Sequence, residues 1–544
     1  MSISTHSFDV SIHWFRNGLR FHDNPSWKDA CDRSKTIVPL YVIDPDAPFA
    51  QTAGRRAGLL RANFALEAIQ EMDQKLQETK MGPSQMIVIR GSPEDVIPKV
   101  LDVIHPSALF YEKDPGTREM DRSVLRKIQE THKEVAIKSY DTHTLHPIEK
   151  YLAKCKGGTC PSTYTGFTKI FTSFKVPAQV ETVSKVPPLP DEALLRLTNV
   201  FGDCMGIPSL QDLGYENVPE GLQNRTKGGI DFVGGEDAGV ALLDQMMKRA
   251  KWVATFEKPK TSPNALQVDT TGLSPYIKHG CVSPRRFYHE LSKVYAKFSP
   301  NVLSKPPVSL HGQLMWRDYN YLMGASTPNF DRMEGNPIAR QIPWDNNEEL
   351  LDAWKNSQTG YPFVDAIMTQ LRETGWIHHL ARHMVACFLT RGDLWQSWEK
   401  GAEVFEHYLI DADWSINNFN WQWLSCTAHF YQYFRCYSPI AFGKKTDPNG
   451  TYIKKWLPQF KNMPAKWIYE PWEAPLEVQR RCGVIIGKDY PYPIVDHKTI
   501  SKENMQLMKE AYDAQKAGEP MPVVRRSVPT RRNDRERPSK KQKT

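Results

Sequence analysis

Two patterns of apolar residues divide the chain. Over residues 8 to about 140, short apolar runs alternate with amphipathic stretches. The runs have the length and composition of buried strands, and residues 59–78 have apolar positions three or four apart, as in a helix. Because such alternation is typical of a parallel sheet covered by helices, residues 1–141 are predicted to form a doubly wound, Rossmann-like α/β domain. The predicted strands are residues 10–15, 36–43, 85–91, 108–113 and 135–141.

Helical spacing replaces this pattern further along the chain. From residue 231 to 495 it predicts an all-α domain, large enough to enclose a flat ligand. Residues 142–230 are rich in Pro, Lys, Gly and Thr and are predicted to be a long linker. Residues 496–544 form a C-terminal extension, which is expected to be disordered beyond Tyr512 because apolar residues become few.

Length and composition narrow the class of protein. A chain of 544 residues needs more than one core, and 40% hydrophobic with 24% charged residues is typical of soluble globular proteins. The start of the chain lacks the pattern of a signal peptide, and no apolar run approaches the ~20 residues that span a bilayer, so no membrane association is expected. Among nine scattered cysteines, only Cys155 and Cys160 are close in sequence, so we expect reduced thiols.

The net charge of +8 is concentrated near the C-terminus. Residues 525–544 contain nine Lys or Arg against two acidic residues, which gives +7 and leaves about +1 for the rest. A nucleic-acid surface would therefore be a local patch. The basic residues resemble a nuclear localisation signal, with a non-specific solvated tail as the alternative. The expected location is the nucleus, with the cytoplasm also allowed.

Residues 375–423 combine side chains that are costly to bury. They include six tryptophans, the pair Asp411 and Asp413, and His379 and His383. The two histidines are four residues apart on a predicted amphipathic helix and therefore share one face. No HExxH glutamate or third ligand accompanies them, so a metal site is not expected. Buried imidazoles, carboxylates and indoles at this density predict a cofactor site.

Several long motifs, taken together in their order, resemble the photolyase/cryptochrome family of flavoproteins, specifically its (6-4) photolyase and animal-type cryptochrome branch. The resemblance extends from about residue 8 to about residue 490. Outside residues 375–423, the motifs are IHWFRNGLRFHDNP (12–25), TTGLSPYIKHGCVSP (270–284), GQLMWRDYNY (312–321), RMEGNPIARQIPWD (332–345), TGYPFVDAIMTQLR (359–372) and CYSPIAFGKKTDPNG (436–450).

The resemblance implies FAD as cofactor of the helical domain. Arg382 and Asp411 match the family's ion pair beside the isoalloxazine, and Asn417 matches the residue that faces flavin N5. The hydroxyl-rich segment at residue 270 matches the part that grips the diphosphate, although its residues alone fit a capped helix start equally well. The full implied set is Thr270, Thr271, Gly272, Leu273, Ser274, Gln313, Arg317, His379, Arg382, Asp411, Asp413 and Asn417.

The resemblance also assigns four tryptophans to electron transfer toward the flavin. Trp421, Trp398 and Trp344 match the family's triad, and Trp395 matches a fourth, outermost member. Trp395 and Trp398 are three residues apart, so for this pair alone ordinary core packing is the alternative to electron transfer.

The two histidines match the catalytic pair of the (6-4) enzymes. A cationic imidazole can protonate the oxygen that leaves when such a lesion is split. His379 is therefore the predicted proton donor and His383 its partner, with ordinary buried histidines as the alternative. The damaged base must be flipped out of the duplex to reach a buried flavin, as photolyases do with their substrates. The implied lesion-binding residues are Lys260, Gln313, Trp316, Trp423 and Tyr437.

These matches predict an enzyme, a (6-4) photolyase that uses light and reduced FAD to repair (6-4) pyrimidine–pyrimidone photoproducts in UV-damaged DNA. The alternative is a blue-light photoreceptor cryptochrome that regulates transcription or circadian rhythm through transcription-factor partners, and one protein could combine both roles. A monomer is expected. The resemblance further implies an antenna domain at residues 1–141. A folate-type pterin, a deazaflavin and no chromophore all remain alternatives near Asp44, Asp46 and Arg56, which also fit a solvated loop.

Overall fold

A computed structural model describes residues 7–50, 55–79, 84–155, 160–219, 222, 232–266 and 268–519. Its chain forms two compact units. The first comprises Met1–Thr261, Val268–Phe330 and Phe405–Phe419, and the second comprises Ser262–Gln267, Asp331–Val404 and Asn420–Thr544. The predicted domain boundaries at residues 141 and 230 fall inside the first unit. Whether they mark separate folding domains stays a prediction.

The predicted α/β fold is confirmed by a five-stranded sheet in the first unit. The strands are β1 (Phe8–Phe15), β2 (Ser34–Ile43), β3 (Ile87–Arg90), β4 (Ala108–Glu112) and β5 (Ala136–Tyr140). Their order is β3-β2-β1-β4-β5, and every neighbouring pair is parallel. In the central strand Trp14 is level with Leu40 of β2 and Tyr111 of β4.

Helices make up most of the remaining described chain. They are α1 (Pro25–Arg33), α2 (Leu59–Gln77), α3 (Pro93–Ile104), α4 (Arg118–Thr131), α5 (Ile148–Leu152), α6 (Tyr164–Phe171), α7 (Ala193–Phe201), α8 (Glu236–Lys248), α9 (Ala250–Thr255), α10 (Ser274–Lys278), α11 (Pro284–Tyr295), α12 (Leu310–Ser326), α13 (Glu348–Lys355), α14 (Pro362–Thr374), α15 (His379–Cys387), α16 (Trp398–Tyr408), α17 (Trp414–Leu424), α18 (Ala441–Thr446), α19 (Thr451–Trp456), α20 (Leu476–Cys482) and α21 (His497–Ala517). Short 3₁₀ turns lie at Pro115–Thr117, Gly202–Cys204, Lys258–Lys260, Pro458–Phe460 and Pro471–Glu473, and a π-helical turn lies at Phe388–Gly392.

Both faces of the sheet are covered. Side chains alternate along each strand, so successive residues point to opposite faces. Ile12 and Trp14 of β1 face a core built with α3, α4 and α7, to which Val100 contributes. His13 and Phe15 point the other way and pack against Trp27 of α1. This two-sided burial explains why the strands appear in the sequence as nearly continuous apolar runs.

Protein atoms fill the crevice at the carboxyl ends of β1 and β4, where the strand order reverses. Doubly wound sheets commonly bind a ligand at such a switch point. Here Lys278 places its Nζ 3.4 Å from Asp114 Oδ2, and Arg20 donates to the carbonyl of Gly280 at 2.8 Å. A Cβ at residue 280 would lie 2.0 Å from the carbonyl oxygen of Asn17, so only glycine permits this approach. The crevice is thus closed by the turn that follows α10.

The C-terminal extension is more ordered than the sequence indicated. The expectation of disorder beyond Tyr512 is wrong as far as Ala517, because α21 continues to that residue. Met508 and Ala511 bury their side chains in the second unit, and Asp496 caps the helix by accepting from Thr499 N. The basic residues 525–544 lie outside the described residues, so nuclear localisation stays a prediction.

One pair of cysteines departs from the expected reduced state. Cys155 and Cys160 form a disulfide, whereas Cys31, Cys204, Cys281, Cys387, Cys426, Cys436 and Cys482 are free thiols. The prediction of reduced thiols is therefore wrong for this pair. Among the described helices, none is long and apolar enough to cross a membrane.

The docking of α21 should depend on pH through His497. His497 Nδ1 lies 2.7 Å from Asp393 Oδ1. Burial lowers the pKa of His497, but the hydrogen bond and charge of Asp393, with Cys387 and Asp496 nearby, raise it above its ordinary value overall. Burial raises the pKa of Asp393 to about 6. Both groups therefore hold protons more tightly in the folded state. The contribution of Asp393 to docking falls between about pH 4 and about pH 6, and that of His497 falls as the pH rises from about 6.5 through its raised pKa.

Hydrogen exchange of the α21 amides, corrected for the intrinsic exchange rate, measures this effect. We expect protection to fall as the pH rises above about 6.5, and His497→Asn to remove most of that fall. An unchanged pH profile in His497→Asn would contradict the assignment.

Candidate functional site

The first unit contains a buried ion pair made from two predicted cofactor residues. Arg317 of α12 donates from Nη1 to Asp413 Oδ2 at 3.1 Å, and Tyr321 donates its hydroxyl to the same oxygen at 2.6 Å. Asp413 also caps α17 by accepting from Ile416 N. Burial raises the pKa of Tyr321, which therefore remains a donor. The group positions the start of α17, and Tyr321, one turn after Arg317, could have been inferred from its spacing.

The segment predicted to grip the diphosphate is a tight turn before α10. Gly272 has φ +66°, and Thr271 Oγ1 accepts from Leu273 N at 3.4 Å. Leu273 is buried, whereas Ser274 is exposed. Gln313 lies elsewhere in the unit, on α12, where its Nε2 donates to the carbonyl of Pro307 at 2.9 Å. Thr271 and Gln313 therefore have structural hydrogen bonds of their own.

Arg61 of α2 is a buried cation that the sequence analysis missed. Within the described residues its three guanidinium nitrogens have no hydrogen-bond partner. Burial lowers the pKa of Arg61, whereas the charges of Glu406 and Asp411 raise it. A buried guanidinium without acceptors is costly, so water or an oxygen-rich ligand is expected to satisfy it. An orphaned donor beside Asp411 therefore fits a cofactor that carries phosphate and carbonyl oxygens. Asn417 is placed one turn into α17, where its N donates to Asp413 O at 2.8 Å.

In the second unit, α15 carries both predicted catalytic histidines. The rings of His379 and His383 are 5.8 Å apart and nearly perpendicular, which confirms that they share one face of the helix. His378, which the sequence analysis did not single out, accepts from Leu380 N and lies 4.4 Å from the ring of His379. Arg382 donates from Nε to the carbonyl of Ile377 at 3.0 Å.

His383 is further linked to Tyr437. The His383 Nδ1 and Tyr437 Oη atoms are 3.3 Å apart. Burial raises the pKa of Tyr437, so the phenol remains protonated and can donate to His383. This arrangement can store and share protons along one side of α15.

Trp421 lies against the helix that carries Trp398. A Cβ at Gly401 would be 2.2 Å from Trp421 Cη2, so the indole occupies the space that the glycine leaves open. Trp398 precedes Gly401 by three residues and therefore lies on the same face of α16. Both indoles are buried, and Trp354 of α13 is a further buried indole, 6.2 Å from Trp421.

Trp344 and Trp395 form the other predicted part of the electron-transfer series. Their ring centroids are 4.8 Å apart. Trp395 is 0% exposed and packs against Met508 and Ala511 of α21. Trp395, which was matched to the outermost member of the series, is therefore covered by α21. Its predicted role in electron transfer stays a prediction.

Comparison with known proteins identifies the family. A family model for DNA photolyase matches residues 11–187, and one for the FAD binding domain of DNA photolyase matches residues 309–510. The chain is 42% identical over 515 residues to Cryptochrome-1 of Mus musculus, covering 92% of this chain and 80% of that protein. This chain belongs to the photolyase/cryptochrome family.

Two further members of this family extend the comparison. Cryptochrome-2 of Gallus gallus is 42% identical over 507 residues, covering 93% of this chain and 84% of that protein. The crystal structure of the Synechocystis cryptochrome covers 92% of this chain and 99% of its own, with 27% identity and a TM-score of 0.78. The predicted family and its two-part fold are confirmed.

The predicted enzymatic activity is corrected by the same comparison. Curated photolyase/cryptochrome members at 42% identity are Cryptochrome-1 and Cryptochrome-2 of animals, not (6-4) photolyases. The prediction that this chain is a (6-4) photolyase enzyme is therefore wrong.

The side chains predicted to bind a lesion have contacts within their own units. In the first unit, Lys260 pairs with Glu257 at 2.9 Å, and Trp316 stacks on Tyr164 with centroids 4.2 Å apart. In the second, Trp423 stacks on Phe430 at 5.2 Å. Binding of DNA by these residues stays a prediction.

The predicted antenna residues are placed in local turns. Asp44 accepts from Asp46 N at 3.0 Å in a surface turn. Arg56 lies over the ring of Tyr215 at 4.1 Å and donates to the carbonyl of Leu213. The contacts of these three residues are those of a structured loop, and an antenna chromophore stays a prediction.

Removing Arg317 should destabilise the first unit. Arg317→Met leaves Asp413 buried without its cation, which typically costs about 3–5 kcal/mol. Lys260→Met is the control, because it breaks an exposed pair and should cost less than about 1 kcal/mol. Urea unfolding followed by circular dichroism measures both changes. Equal effects of the two substitutions would contradict a structural role for the Arg317–Asp413 pair.

Proposed function

We propose that this protein is a blue-light photoreceptor of the cryptochrome type, which binds FAD and acts through protein partners that regulate transcription. The observation that carries the proposal is the set of packed indoles in the second unit: Trp421 against the Trp398 face of α16, and Trp344 against Trp395. The cryptochromes of mouse and chicken, which align along 92–93% of this chain, support the receptor class.

The cofactor and the residues that would hold it have separate roles. Bound FAD supplies a chromophore for blue light and, once excited, a strong one-electron oxidant. In the first unit, the hydroxyl groups of Thr270, Thr271 and Ser274 would donate to its diphosphate, and Asp411 and Asn417 would line its isoalloxazine. Within the described residues, the three guanidinium nitrogens of Arg61 in the same unit have no acceptor, which supports an oxygen-rich group there.

The indoles would carry an electron toward the cofactor because they keep their protons. Within the described part of the chain, the Nε1 atoms of Trp398 and Trp344 have no acceptor, and Trp395 Nε1 donates to a neutral carbonyl, that of Pro343, at 2.9 Å. An oxidised indole that cannot pass its N–H proton to a base remains a radical cation. Its positive charge can then move to the next ring rather than being trapped.

The histidine face of α15 has a different use in a receptor. His383 lies within hydrogen-bond distance of Tyr437, and His379 shares the same face of the helix. In a repair enzyme this group would protonate a lesion. In a receptor it would instead adjust the electrostatic field of the helix that carries Arg382.

Trp398→Phe should slow light-driven flavin reduction. Removing one indole lengthens the electron-transfer step, so we expect the rate to fall by roughly tenfold or more, equal to about 1.4 kcal/mol of added barrier. Trp354→Phe is the matched control, because it removes an equally buried indole that lies beside Trp421 but off the predicted route. Visible absorption during illumination with an external thiol measures the rate. Similar behaviour of both variants would contradict the proposed route.

Illuminated, reduced protein should not repair UV lesions. We expect oligonucleotides that contain either a (6-4) photoproduct or a cyclobutane dimer to remain unchanged, because the proposed output is a protein interaction. Chromatographic analysis of the oligonucleotides measures this. Restoration of either lesion under conditions where the same sample undergoes flavin photoreduction would contradict the receptor-only function.

A further inference from the structure

The predicted electron-transfer series ends in the protein interior. Trp395 is fully buried beneath α21, and Trp344 is only partly buried beside it. A positive charge that oxidation leaves on either indole remains inside the second unit. Its lifetime would then be limited by return of the electron, unless another oxidisable group lies between these indoles and water.

Three tyrosines continue the aromatic contacts from this point. Tyr433 and Tyr512 pack against the same cluster as Trp344 and Trp395. The rings of Tyr433 and Tyr512 are 5.0 Å apart, and those of Tyr512 and Tyr431 are 6.5 Å apart. Tyr431 is 47% exposed. Packing within this cluster, followed by the ring contacts between the tyrosines, therefore connects the indoles with the surface.

The surroundings of the hydroxyl groups distinguish an inner from an outer tyrosine. A phenol gives up an electron readily only when its proton leaves with it. Tyr512 donates its hydroxyl to the carbonyl of Cys426 at 2.5 Å, and a carbonyl is not a base. Burial raises the pKa of Tyr512, and Arg340 lies 4.0 Å from the centre of its ring, which disfavours positive charge there. Tyr512 is thus a poor place for the charge to rest.

Tyr431 differs from Tyr512 in its exposure. Its exposed side chain lets the hydroxyl proton leave directly to water, whereas the hydroxyl of Tyr512 is held by the carbonyl of Cys426. Arg340 also lies 5.0 Å from the centre of the Tyr431 ring, but the phenoxyl radical that remains after proton loss carries no positive charge. A neutral phenoxyl radical at the surface, separated by Tyr512 from the indoles, would return its charge slowly. The position therefore combines ring contact with exposure.

We propose that Tyr431 is the terminal electron donor of the second unit, reached from Trp344 and Trp395 through the ring of Tyr512. This inference rests on the proposed function, in which the inner tryptophan would give an electron to the bound chromophore. Tyr431 loses one electron to the oxidised indole and one proton from its hydroxyl to water. The indole radical cation returns to neutral indole, and a neutral phenoxyl radical remains at Tyr431. An external thiol then reduces that radical by supplying one electron and one proton.

Electron paramagnetic resonance of FAD-loaded full-length protein, frozen during blue illumination, tests the proposal. We expect a tyrosyl signal that narrows when the protein is produced with ring-deuterated tyrosine. Tyr431→Phe should abolish this signal and leave an indole radical in its place. Tyr492→Phe is the matched control, because it removes another exposed tyrosine of the second unit, 38% exposed, and should leave the signal intact.

A second variant separates the bridge from the terminus. Tyr512→Phe keeps the ring but removes the hydroxyl, so the tyrosyl signal should persist. Loss of the signal in Tyr512→Phe with retention in Tyr431→Phe would overturn the assignment of Tyr431. Circular dichroism and flavin content check that each variant is folded.

Different results would refute this inference and the proposed function. A wild-type protein whose flavin is photoreduced, but whose radical is an indole alone, refutes Tyr431 and leaves the receptor function standing. A wild-type protein that shows neither flavin photoreduction nor any amino-acid radical refutes the proposed function itself.

Discussion

The close contact between Trp421 and α16 is the constraint on which the functional account depends. It exists because residue 401 is glycine: any Cβ there would collide with the indole at 2.2 Å. The missing side chain admits a large aromatic ring into the helix surface and brings it to the face that carries Trp398. The indoles further along the series, Trp344 and Trp395, are held in turn by the packing of α21. The proposed electron transfer would thus be a consequence of core packing.

Buried polar groups of the first unit are arranged in two different ways. Arg317, Asp413 and Tyr321 satisfy one another, and they set the start of α17. Arg61, by contrast, has donors without acceptors among the described residues. A satisfied network fixes geometry, whereas an orphaned donor indicates a ligand or water. The first arrangement explains how the fold is held, and the second indicates where a cofactor would contribute to it.

The sequence predicted what depends on local pattern and missed what depends on distant packing. The five strands were predicted within about two residues, because burial on both faces leaves apolar runs. His379 and His383 were correctly placed on one face, since four-residue spacing is a local property. The burial of Trp395 could not be predicted, because it is covered by Met508 and Ala511, more than one hundred residues later. The choice of repair over signalling was wrong for another reason. The histidine pair and Tyr437 are compatible with either function, and the relatives favour cryptochromes.

The visible absorption spectrum of the freshly purified full-length chain, before and after blue light and without DNA, tests the central claim most directly. The account predicts one oxidised flavin per chain, which loses its absorption in the blue on illumination and recovers in the dark when air is admitted. Protein that is colourless, takes up no FAD when it is supplied, or binds FAD without responding to light would contradict the account.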